Sequence, residues 1–103
     1  MGNNYDLVLF PTAVEDMEKI FEYIAVDLSN PIAAIKMIDS FNKAFENICF
    51  FPESYPLTKN EFLENKNFRK AIVKKYIIFF TVEKNEIKVY RVIYGMRNLE
   101  KLL

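Results

Sequence analysis

The chain has no histidine and no tryptophan, and only one cysteine and two glycines among its 103 residues. Without histidine, neither a histidine-based catalytic triad nor a histidine-ligated metal centre can be assembled. Gly2 and Gly95 are too few and too far apart for a phosphate-cradling loop or a dinucleotide fingerprint. Cys49 has no second cysteine to pair with, and one thiol does not make a zinc site. No run approaches the roughly 18 apolar residues of a membrane span, and "MGNNYDLVLF" has neither the length nor the charge of a secretory signal. These absences point to a soluble cytoplasmic protein in a reducing compartment, with no metal and no cofactor.

What is present is apolar and aromatic. Hydrophobic residues make up 51% of the chain and aromatics 16%, so a packed core is expected, built as a single domain over residues 1–103. Net charge is zero, but it is segregated. Residues 1–65 hold four lysines against eleven acids, a net of −7, and residues 66–103 hold ten Lys and Arg against three acids, a net of +7. The second part is where a polyanion or an acidic partner is expected to bind.

"YDLVLF" (5–10) reads as a first strand ended by Pro11. "TAVE" (12–15) has the spacing of a capping box, and Val14, Met17, Ile20, Phe21, Ile24 and Leu28 then recur at helical spacing. Asn30 suits the N-cap and Pro31 the first position of a second helix, whose apolar stripe is Ile35, Ile38, Phe41, Phe45 and Ile48. Residues 51–67 read as a loop with at most one helical turn. "FRKAIVKK" (68–75), "YIIFFTVEK" (76–84) and "IKVYRVIY" (87–94) are rich in β-branched and aromatic residues and read as three strands. The predicted fold is α+β: an N-terminal strand, a helical hairpin, then a three-stranded antiparallel meander, forming one antiparallel sheet packed on the helices.

The acids of the first helix (Glu15, Asp16, Glu18, Glu22) read as a solvated helix face rather than a carboxylate site. Basic and aromatic residues instead gather on the last strands: Arg69, Lys70, Lys74, Lys75, Tyr76, Tyr90, Arg91, Tyr94 and Arg97. Alternation places Arg91 on one face with Val89 and Ile93, and Tyr90 with Tyr94 on the other. An arginine on so apolar a face needs an open groove or a carboxylate partner, such as Asp6 or Glu22. Gly95 allows a sharp turn that releases Arg97 from the sheet.

Taken in order, "SNPIAAIKMI", "ICFFPESYPL", "FRKAIVKKYIIFFTV" and "VYRVIYGMRNLEKLL" resemble the RelE/ParE superfamily of type II toxin–antitoxin toxins over residues 5–103. The resemblance implies a cytoplasmic toxin neutralised by a cognate antitoxin. It implies one of three roles: an mRNA interferase that cuts mRNA on the ribosome, a gyrase inhibitor that acts by binding, or an inactive homologue that only binds the antitoxin. The endoribonuclease is the leading expectation, since "YGMR" matches the glycine-then-arginine strand ending and places its functional arginine at Arg97. Two positions depart from the nuclease pattern: Ile77 replaces an arginine, and Leu103 stands where a catalytic tyrosine is expected.

Metal-free RNA cleavage through the 2′-OH needs a base, an acid and positive donors around phosphorus. On that reading Arg97 and Arg69 clamp the phosphate, Tyr94 or Lys74 moves protons, and Lys70, Lys75 and Arg91 hold the substrate.

Overall fold

The computed structural model describes residues 5–58 and 67–95. In chain order these form β1 (Asp6–Leu9), α1 (Pro11–Glu22), a π-helical turn (Tyr23–Asp27), α2 (Pro31–Phe50), a 3-10 turn (Pro52–Ser54), β2 (Arg69–Val73), β3 (Tyr76–Glu83) and β4 (Glu86–Tyr94). The strands make one sheet in the order β1-β4-β3-β2. The meander β2-β3-β4 is antiparallel as expected, but β1 lies parallel to β4, with Leu9 opposite Val89. The sheet is therefore mixed. A hairpin of two helices returns the chain to the far edge of the sheet, so β2 and then β4 run in the direction of β1. Four residues of β1 carry no signal of that direction.

The helix starts are built differently from one another. Asn30 accepts a hydrogen bond from the Ala33 N–H at 3.1 Å, so α2 begins with the side-chain cap its sequence predicts. The expected capping box at Thr12 does not form. Pro11 opens α1 without any side-chain cap, and the Thr12 hydroxyl donates instead to the carbonyl of Tyr90 at 3.1 Å.

The apolar stripes also shift. On α2 the buried positions are Ala34, Met37, Phe41, Phe45 and Ile48, while Ile35 is 55% exposed. On the first helix the π-helical turn adds a residue to its loop of chain, visible in the Leu28 N–H donating to Tyr23 O. That insertion rotates everything after it, so Leu28, in phase with the stripe at a constant helical period, is 54% exposed.

The main core lies between the helices and one sheet face, from Ala13, Phe41, Phe45 and Ile48 to Ile78, Phe80, Ile87, Val89 and Val92. A second, smaller cluster sits on the opposite face: Phe68, Phe79 and Ile93, with Ile77 and Tyr90 against them. Cys49 borders the main core, where burial and then the charge of Asp6 push its thiol pKa up, so the thiolate is scarce at neutral pH.

Both meander turns contain a lysine in the left-handed region, Lys74 at φ 55° and Lys84 at φ 56°. A side chain there is strained by contact between its Cβ and the backbone. Lys84→Gly should therefore raise stability by about 1 kcal/mol, set against the added freedom of the unfolded glycine. A urea midpoint at or below that of the parent chain would show that the turn is not strained.

Candidate functional site

β1 ends at Leu9, and the chain turns there into α1, which Pro11 opens. β4 runs on to Tyr94, so its edge beyond Val89 faces α1 rather than a strand. Two residues one turn apart on α1 cover that edge. Thr12 takes the Tyr90 carbonyl, and Asp16 takes the Val92 N–H at 2.9 Å. The same carboxylate receives Arg91 twice, from Nε at 2.7 Å and from Nη2 at 3.1 Å. The side chains of Arg91 and Asp16 keep only 26% and 14% of their surface exposed. Hydrogen bonding to Asp16 outweighs desolvation and holds the guanidinium pKa above its ordinary value.

Arg91 thus has its carboxylate, and it is neither Asp6 nor Glu22. The acid read as part of a solvated helix face is the partner. Register explains why alternation misplaced its neighbours. Phe79 faces Arg91 but Phe80 faces Val89, so Tyr90 is an extra residue in β4, a β-bulge. The bulge moves Val89 to the helix side of the sheet while Ile93 stays on the outer side. Tyr90 and Tyr94 also separate. Tyr90 packs between Phe10 and Phe68, whereas Tyr94 meets Tyr76 edge to face at 5.8 Å.

Beside the Asp16–Arg91 pair opens a cleft of about 810 Å³ between the helical hairpin and the ends of β3 and β4. Its walls combine apolar Ile20, Ile24 and Val92 with Tyr23, Tyr76 and Tyr94, and its cations are Lys19, Lys75 and Arg91. Of the residues expected to act, the cleft gathers Tyr94, Lys75 and Arg91. Arg69, Lys70 and Lys74 do not line it. Arg69 donates to the Tyr55 carbonyl at 2.6 Å, tying the chain after α2 to the sheet. Lys74 is at the tip of the β2-β3 turn. Arg97 and Leu103 lie outside the described residues.

Sequence reasoning missed Asp16, Lys19 and Tyr23 as cleft residues. The signal was there: spaced i, i+3 and i+7, they form a polar stripe beside the apolar one. Gly95 also has a different role from the one expected of it. Its backbone is not in the left-handed region; instead an added Cβ would lie 3.2 Å from the Ile77 side chain and 3.3 Å from the Lys75 carbonyl. Gly95 does lie in a turn, but close approach rather than a left-handed backbone accounts for the glycine. Among the described residues no group of three His, Cys, Asp or Glu could hold a metal, and no helix is long and apolar enough to cross a membrane.

The fold resembles that of a solved chain of the chromosomal ParDE TA system from P. aeruginosa. The two share 17% identity and a TM-score of 0.73, over 88% of this chain and 96% of that one. No curated protein matches the sequence. A family model described as the ParE toxin of the type II toxin-antitoxin system, parDE, matches residues 7–99. That match takes in the helical hairpin, the meander and all of β1 but Asp6, and the chain belongs to the ParE toxin family of type II toxin–antitoxin systems.

Proposed function

We propose that this toxin arrests growth by binding DNA gyrase, and that it does not cleave RNA. The observation that carries the reading is the engagement of the two arginines among the described residues. A phosphate clamp needs guanidinium groups free to take two oxygens of a strained phosphate. Arg91 gives that geometry to Asp16, and Arg69 bonds the Tyr55 carbonyl. Ile77 stands where nucleases of the superfamily carry a further arginine. The match to the ParE family model supports the same conclusion.

On this reading the cleft and the residues that follow Gly95 serve recognition. Arg97 is the residue proposed to face the target, and a cognate antitoxin is the partner that silences it. The test is a paired assay with the purified full-length chain: supercoiling by gyrase, and cleavage of mRNA on programmed ribosomes. Inhibited supercoiling with intact mRNA is the expected result, and Arg97→Ala should relieve it without changing the melting temperature. Cut mRNA with gyrase unaffected would restore the endoribonuclease reading.

A further inference from the structure

β2 forms the other edge of the sheet, and among the described residues only its first half is paired. Lys70 N–H donates outward to the Pro56 carbonyl at 3.1 Å, and Thr58 N–H donates to the Phe68 carbonyl at 2.8 Å. Leu57 thereby bridges Arg69, and the covering segment reaches no further than Lys70. The backbone groups of a strand point to alternate sides with a period of two. The carbonyl of Lys70 and both the N–H and C=O of Ile72 therefore point the same way as the Lys70 N–H. Among the described residues no hydrogen bond reaches the outward groups of Ile72.

The side chains along this open half are distinctive. Ile72 is 69% exposed, the highest value among the described large apolar residues. Register aligns Ile72 with Ile77 and Ile93 across the outer face, and Lys70 with Phe79 and Arg91 in the next row. Exposed Lys74 and Lys75 follow in the turn. An added strand would thus find pairing groups, an apolar row to extend, and cations on either side of Ile72.

A second copy of the chain fits poorly. Because Pro56–Thr58 occupies the edge as far as Lys70, two β2 strands could meet only about Ile72. Antiparallel pairing there sets each Lys70 opposite the other copy's Lys74, and like charges across a strand pair are unfavourable. Edge lysines deter such self-pairing, yet they attract carboxylates. We propose that the open half of the β2 edge takes an extended acidic segment of a partner protein as an added strand. Its aliphatic residue sits beside Ile72 and its carboxylates beside Lys70 and Lys74. β2 does not line the cleft, so the inference is independent of the gyrase reading.

The probes are two blocked heptapeptides, TETITET and TKTITKT, whose charged residues and isoleucine share one strand face. Each is titrated into the full-length chain and followed by backbone amide NMR. The acidic peptide should bind, shift the Ile72 and Lys70 amides, and weaken as salt rises. Ile72→Pro removes an outward N–H without touching the β2-β3 ladder and should weaken binding about tenfold. Lys70→Glu should shift the preference toward the lysine peptide, and gives a second test should the proline variant fold poorly. Absent binding, equal affinity for both peptides, or a Lys70→Glu variant that keeps its preference would overturn the proposal. Sedimentation showing a dimer that Lys70→Glu strengthens would assign the edge to a second copy and overturn it equally.

Discussion

Asp16→Ala should cost on the order of 3–5 kcal/mol of unfolding free energy. One carboxylate answers three donors: two from Arg91 and the backbone N–H of Val92. Removing it strands a largely buried guanidinium and an N–H on a sheet edge that has no neighbouring strand. Each orphaned group then bears its desolvation cost without compensation. Asp16→Asn should cost less, since its amide oxygen can still accept from Val92 while the charge pairing is lost. Arg91→Lys should also destabilise, because an ammonium cannot make the two-point contact. The double change Asp16→Leu with Arg91→Met should recover part of the loss but not all, since the Val92 N–H stays unpaired. Urea unfolding of the four variants provides the measurement. An Asp16→Ala midpoint near that of the parent chain would mean that water replaces the carboxylate and that the pair does not hold α1 to β4.

Phe41→Ala should be comparably damaging, at ~3–5 kcal/mol. Phe41 is fully buried on α2, where it meets the ring of Tyr76 edge to face at 5.7 Å. Its loss leaves a cavity between the helix and the first residue of β3, and the flanking Ala34 and Met37 offer little with which to fill it. Tyr76 in turn packs on Tyr94 in the cleft wall. The variant should therefore loosen the cleft as well as the fold, and near-ultraviolet circular dichroism of the tyrosines should weaken below the melting transition. Ile35→Ala, on the same helix but exposed, is the control and should change stability by about 0.5 kcal/mol or less. Equal effects at the two positions would mean that α2 packs on the sheet through the stripe read from the sequence rather than the one in the structure.

Much of this molecule is legible residue by residue because local rules govern it. Asn30 with Pro31 starts α2, Pro52 follows its end, and the three apolar segments of the meander pair as antiparallel neighbours, as their composition predicts. Nearest-neighbour sterics and hydrogen bonds determine these features, and both act over a few residues. The remaining features arise from contacts between distant parts of the chain. The direction of β1 is decided by where the helical hairpin returns the chain. Which helix residues are buried depends on a π-helical turn that no single residue announces. The bulge at Tyr90 reassigns Val89 and Tyr90 by one step, because in a strand a shift of one residue exchanges faces. Asp16 shows the point most sharply. In sequence it is one acid among four on a polar helix face, and only the short β1 leaves a strand edge that makes this one carboxylate the partner of Arg91. Free backbone donors on that edge, 76 residues away along the chain, set its role through tertiary structure alone.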